Sequence, residues 1–157
     1  MYSYGKRSKY HIDTLHVDLQ TILYEVIKEY DISVIEGHRT IERQQELFNS
    51  NPPRTKIDGI NILGKHNHLP SLAVDIVPHK KGVDPFEGST KNLARFYYMM
   101  GIVRSVTNRL LRERKITHDV RFGLDWNKNG IFTDQKFHDL PHIELIMPEI
   151  VFGSSKN

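Results

Sequence analysis

Two short segments of this 157-residue chain concentrate the residue types that bind metals and move protons. The first is Gly64-Lys65-His66-Asn67-His68-Leu69-Pro70-Ser71-Leu72-Ala73-Val74-Asp75-Ile76, and the second is His138-Asp139-Leu140-Pro141-His142-Ile143-Glu144-Leu145. Asp75 sits between the apolar Val74 and Ile76, and a carboxylate in such a strand is costly unless a cation or hydrogen-bond donors balance it. Strand alternation puts Ala73, Asp75 and Val77 on one face, where the small Ala73 leaves room beside the carboxylate. In the second segment His138 and His142 have the i, i+4 spacing of a helical zinc motif. Pro141 opposes a helix there, because it pushes Leu140 towards an extended conformation and cannot donate a helical hydrogen bond. An extended segment instead projects His142 and Glu144 on one face and turns Ile143 and Leu145 towards the core.

A histidine and Asp75 from the first segment, with His142 from the second, make a three-ligand zinc set whose fourth position is open, as catalytic zinc requires. Two neutral imidazoles and one carboxylate leave such a centre net positive, which lowers the pKa of a bound water towards about 7. Asp139, close before His142, is then placed to act as general base and to pass the proton to a leaving amine. An arginine aimed at the developing oxyanion would complete the site. Taken singly, either segment reads more readily as a surface His–Asp hydrogen bond than as a metal site. A further loop, Asp125-Trp126-Asn127-Lys128-Asn129-Gly130-Ile131-Phe132-Thr133-Asp134, alternates oxygen donors and has glycine sixth, in the manner of a calcium loop. Lys136 stands where the bidentate glutamate belongs, so calcium affinity is expected to be low, and a polar turn is the plainer reading.

The elements that must hold these residues follow from periodicity and punctuation. Leu15, Leu19, Ile22, Leu23, Val26, Ile27 and Tyr30 recur at helical spacing, which predicts an amphipathic helix near 15–30. Ile32 to Ile35 reads as a strand ending at Gly37. Thr40 offers an N-cap for a helix through about Phe48, with Arg43 where a capping box would place Glu. Residues 49–64 read as a long loop, and Ala73 to Val77 as a buried strand stopped by Pro78. Ser89 or Thr90 should cap a long helix ending near Lys115, with Leu93, Phe96, Tyr97, Met100, Val103 and Leu110 on its apolar face. Val120 to Phe122 and Ile143 to Ile146 are the remaining candidate strands. Helices and strands mixed without regular βαβ alternation predict an α+β domain, a small and mainly antiparallel sheet backed by helices. One domain is expected over residues 1–150, with a frayed tail at 151–157.

Composition narrows the function classes. The chain is 38% hydrophobic and 26% charged, the balance of an ordinary globular domain. Cysteine is absent, which removes disulfides, thiol catalysis and Cys-based zinc sites together, while nine histidines supply ligands. A formal charge of +3 is far from the basic excess of a dedicated nucleic-acid binder, so no nucleic-acid partner is expected. The basic stretch Arg104 to Lys115 reads as the solvated face of a helix. No apolar run approaches the roughly 18 residues that span a bilayer, and Met1 to Tyr10 shows no secretory signal.

The chemical segments also resemble a known family. The chain is similar to the D-Ala-D-Ala peptidase superfamily, and most closely to the L-alanyl-D-glutamate peptidases of phage lysis cassettes. The resemblance rests on Gly64-Lys65-His66 with Ala73-Val74-Asp75, and on Asp139-Leu140-Pro141-His142-Ile143-Glu144-Leu145. It extends to Glu36-Gly37-His38-Arg39-Thr40-Ile41-Glu42-Arg43-Gln44 and to Val120-Arg121-Phe122-Gly123-Leu124-Asp125-Trp126-Asn127. It implies a hedgehog/D-Ala-D-Ala-peptidase-like fold, with Asp75 and His142 as zinc ligands, Asp139 as catalytic base and Arg39 as the residue that polarises the scissile carbonyl. Gln44 matches a family position whose role is equally well structural. The family's shorter motif would select His68 as the remaining ligand. A longer version aligns Lys65-His66-Asn67 and Pro70-Ser71 and selects His66, and the Asn67 and Pro70-Ser71 matches favour His66 as the third zinc ligand. Gly64 replaces a usual serine.

What the resemblance implies is a monomeric zinc endopeptidase that hydrolyses the L-Ala–D-Glu bond of peptidoglycan. It would accumulate in the host cytoplasm, without stable membrane insertion, until released to the wall. The alternatives are a D,D-carboxypeptidase or dipeptidase of the same superfamily, and a non-catalytic binding domain on the same fold.

Overall fold

The computed structural model describes residues 1–148, so the tail expected at 151–157 lies outside the described residues. Four helices, α1 (Lys6–Ile12), α2 (Val17–Glu29), α3 (Ile41–Phe48) and α4 (Thr90–Arg112), accompany four strands, β1 (Ile32–Glu36), β2 (Ala73–Pro78), β3 (Asp119–Phe122) and β4 (His142–Ile146). The strands form one antiparallel sheet in the order β1-β2-β4-β3. The α+β architecture expected from the sequence is the one present.

Local chemistry sets most boundaries. Thr40 caps α3 by accepting the Arg43 N–H, and Ser89 caps α4 by accepting that of Asn92. The helix α2 buries Leu19, Ile22, Leu23, Val26 and Ile27 on one side and packs against α4. The face of α4 is rotated from the expected one. Phe96, Met99, Met100, Val103, Val106 and Leu110 are buried, whereas Leu93 is exposed and Tyr97 only half-buried. The reason is that α4 must cover both α2 and the strands β2 and β3, which widens its apolar arc past one stripe. The expected solvated stripe is also partly engaged. Arg104 donates to Asp119 and lies over the Phe122 ring, and Arg109 pairs with Glu25.

The helix α1 was not legible from sequence. It buries only Ser8 and Ile12, and it packs on β1, where the Ser8 hydroxyl accepts the Val34 N–H. Strand β2 is buried throughout, flanked by β1 and β4 in the sheet and packed against α4 and the turn at Lys65–Asn67. Its place between β1 and β4 then decides what Asp75 meets.

Candidate metal centre

Register brings the chemical residues together. Asp75 of β2 lies directly opposite His142 of β4, and on the other side of β2 it pairs with Glu36, where a bulge follows Val34. Directly opposed residues in a sheet share a face. His66 arrives separately, on a 3-10 turn over Lys65–Asn67 that the Asn67 carboxamide fastens by accepting the Gly64 N–H. His66 Nε2 lies 3.3 Å from Asp75 Oδ1, His142 Nδ1 lies 3.3 Å from the same oxygen, and the two nitrogens are 3.2 Å apart. Ligand atoms held about 2.0–2.1 Å from a tetrahedral zinc sit about 3.3 Å from one another. The three atoms therefore form nearly the triangle that one face of a zinc tetrahedron requires. His68 is exposed and outside this cluster, and His138, also exposed, meets the Gln135 carbonyl.

Each ring is fixed through its other nitrogen. His66 Nδ1 donates to the Gly37 carbonyl at 2.7 Å, which leaves a lone pair on Nε2. His142 Nε2 lies 3.1 Å from Glu144 Oε2, and Glu144 is in turn held by the Arg121 guanidinium, with Nε at 3.0 Å. A carboxylate or carbonyl behind a ligating histidine sets its tautomer and orientation. Both rings are thus arranged to present lone pairs to the space beside Asp75.

The charges point the same way. Burial alone would raise the Asp75 carboxyl, but His66 and His142 hold it far below the ordinary carboxylate range. Burial would lower the His142 imidazole, yet hydrogen bonds to Asp75 and Glu144 push it up to about 9. The pocket draws a positive charge to the His142 nitrogen, and a metal ion satisfies the same demand while displacing the proton. The residues present fit a divalent transition ion.

Asp139 stands beside the trio. Burial pushes its carboxyl upward, helped by the Asp75 charge and opposed by His142, His66 and Arg39. A base raised towards neutrality is better matched to proton transfer. Arg39 is held at the other edge, with one Nη on Gln44 Oε1 at 3.1 Å and the other paired to Glu36 and 3.5 Å from Asp75 Oδ2. Its Nε is buried without a hydrogen-bond partner. Gln44 is itself buried and donates to the Ile57 carbonyl and Thr55 hydroxyl, so it braces Arg39 against the 49–64 loop.

The sequence profile of the phage L-alanyl-D-glutamate peptidases matches residues 1–146. The chain belongs to that family. Among curated proteins none matches in sequence. Among solved structures, the chain is similar to the Serratia marcescens L-Ala D-Glu endopeptidase ChiX, at 24% identity and a TM-score of 0.62 over 92% of this chain and 91% of that one. It also resembles the LD-carboxypeptidase LdcB, at 17% identity and a TM-score of 0.45 over 84% of this chain and 57% of that one. A third is the vancomycin-resistance D,D-dipeptidase VanXYg, at 18% and 0.42 over 84% and 49%. The first of these shows a shared fold.

Two features of this family member were not assigned a role from sequence. Gly123 follows β3 and lies flat against the second segment, donating to the His142 carbonyl and accepting the Asp139 N–H, both at 2.9 Å. A Cβ there would sit 2.3 Å from the Asp139 carbonyl oxygen, 2.7 Å from Asp139 Cβ and 3.0 Å from His142 Cβ. Trp126 lies with its ring centroid 5.4 Å from that of His142 and donates Nε1–H to the Phe137 carbonyl, closing the far wall. The loop Asp125 to Asp134 is closed on itself: Asp125 accepts the Asn129 and Gly130 N–H groups, and Asp134 accepts from Asn127 and Asn129. Its carboxylates are spent within the turn, which favours the polar-turn reading over the calcium one.

Proposed function

We propose that this member of the phage L-alanyl-D-glutamate peptidase family is a zinc-dependent endopeptidase that hydrolyses the L-Ala–D-Glu bond of peptidoglycan stem peptides during host lysis. The observation that carries the reading is the triangle of His66 Nε2, Asp75 Oδ1 and His142 Nδ1, with edges of 3.2–3.3 Å and both rings pinned from behind. His66, Asp75 and His142 would hold the ion, and a zinc there supplies Lewis acidity that makes water a competent nucleophile near neutral pH.

The chain's own groups do the rest. Asp139 takes the proton from the attacking water and returns it to the leaving amine, its carboxyl raised by burial for that exchange. Arg39, braced by Glu36 and Gln44, offers its guanidinium to the carbonyl oxygen as negative charge develops there. Glu144 and Arg121 keep the His142 ring from turning. The similarity to ChiX supports this fold as a scaffold for such a site. The family's place in phage lysis supports action on the host cell wall, and we extend the proposal to a monomer that accumulates in the host cytoplasm before access to the wall. No helix among the described residues is long and apolar enough to cross a membrane.

The test combines metal analysis with mass spectrometry of digested walls. Purified protein should carry zinc, lose activity on chelation and regain it with added zinc, and the new ends should be L-Ala carboxyl and D-Glu amino groups. Release of terminal D-Ala would move the protein to the carboxypeptidase class. Full activity in metal-free protein would sink the mechanism, and zinc binding without any wall cleavage would leave a binding domain on the same fold.

A further inference from the structure

A second group of metal-binding side chains lies away from this centre. One nitrogen each of His16 and His118 and one oxygen of Asp18 lie within 4.8 Å of one another. His16 is the N-cap of α2, and Asp18 sits in its first turn. His118 belongs to the turn that leads from α4 into β3. The trio thus joins segments 100 residues apart in the chain.

The positions are well fixed. The His16 N–H donates to the Ser71 carbonyl at 2.9 Å, and its Nδ1 accepts the Asp18 N–H at 3.1 Å. Asp18 is buried, and its Oδ2 accepts the backbone N–H groups of Thr117 and His118 at 2.9 and 3.0 Å and the Thr117 hydroxyl at 3.1 Å. His118 Nδ1 lies 2.7 Å from the same oxygen. The two rings meet edge to face, with centroids 4.9 Å apart. Holding the 117–118 turn needs only the Asp18 carboxylate and the backbone. Neither imidazole is required for that task, yet both converge on it.

We propose that His16, Asp18 and His118 form a second cation site, one that takes zinc or a similar borderline divalent ion such as cobalt or nickel. Two imidazoles and one carboxylate are the donor set such ions select, whereas calcium and magnesium prefer all-oxygen sites. The neutral His16 ring has one lone pair, which accepts the Asp18 N–H, so an ion bound by this ring takes over that lone pair and the capping hydrogen bond is given up. The proton shared between His118 Nδ1 and Asp18 leaves as the ion enters, so binding releases a proton to solvent. His118 Nδ1 and Asp18 Oδ2 lie 2.7 Å apart and must part slightly to admit an ion, whereas the first centre already holds its atoms at the 3.2–3.3 Å that zinc requires. This site therefore fills second. Its role is to staple the start of α2 to the start of β3, with no part in hydrolysis.

The experiment is a cobalt titration of the metal-free full chain, read by visible absorption and by total bound metal. Wild-type protein should take two equivalents. His118→Ala and His16→Asn should each take one and keep full lytic activity, since asparagine preserves the cap but removes the ring. Asp75→Asn should also take one, and zinc should still raise its melting temperature, a shift abolished by adding His118→Ala. A single equivalent in the wild type that His118→Ala and His16→Asn both retain, or two equivalents in both His variants, overturns the proposal. Should a variant fail to fold, the second equivalent added to wild-type protein must shift the ring protons of His16 and His118 by NMR, and unmoved signals overturn it equally. Loss of the first site alone, seen as one equivalent in the wild type that vanishes in His118→Ala, would refute the zinc peptidase reading and leave this site standing.

Discussion

Replacing Gly123 by alanine should test how finely the proposed base Asp139 and the proposed ligand His142 are placed together. The added Cβ would lie 2.3 Å from the Asp139 carbonyl oxygen, against an ordinary C···O contact of about 3.3 Å, so the 139–142 segment must retreat by roughly 1 Å. That segment carries both Asp139 and His142, and two hydrogen bonds tie it directly to Gly123. A displacement of about 1 Å in a catalytic constellation can cost on the order of 100-fold in rate. Overpacking should also lower stability by about 1–3 kcal/mol. The assay is wall hydrolysis at saturating zinc, beside zinc content and a denaturation curve. The control is Gly101→Ala in α4, where a Cβ meets nothing within 4 Å and the gain in helix propensity should stabilise by up to about 1 kcal/mol. If Gly123→Ala hydrolyses walls at the wild-type rate with zinc bound, the supposed coupling between this glycine and the site is wrong.

Three further outcomes follow from the geometry. Asp139→Asn should keep zinc and fold yet be nearly inactive, while Glu144→Gln should weaken zinc affinity and retain turnover; the reverse pattern would give the basic role to Glu144. Arg39→Ala should slow hydrolysis by about 100- to 1,000-fold with zinc retained, and Arg39→Lys should recover little. Normal turnover in Arg39→Ala would reduce this arginine to a partner of Glu36 and Gln44. Because a proton held on His142 up to about pH 9 must leave before a metal enters, zinc affinity should rise with pH, by about tenfold per unit below that value. An affinity that is flat between about pH 6 and pH 8.5 would show that no such proton is displaced.

Much of the fold could be read from local pattern, because its causes are local. The apolar spacing of α2, the caps at Thr40 and Ser89, and the β-branched run of β1 each act within a few residues. The α1 helix escaped because two buried residues make no periodic signal. The face of α4 was misjudged at Leu93 because what a long helix buries depends on how many partners it covers.

The chemistry divides along the same line. The sequence alone marked Asp75 as a carboxylate needing a counter-charge, ruled His138 out of a helical pair through Pro141, and supplied the family through four ordered segments. It left His66 and His68 both open on spacing, since a loop can present either. Only tertiary structure turns His66 inward onto the Gly37 carbonyl and leaves His68 in solvent. The register of β2 on β4 sets Asp75 opposite His142, 67 residues away, and that of β3 on β4 sets Arg121 opposite Glu144. The close approach of Gly123 and the meeting of His16 with His118 likewise arise where distant segments pack. Residue type and spacing declare what chemistry a chain can do, but distances near 3 Å between remote side chains are fixed by sheet register and packing, which no local pattern encodes.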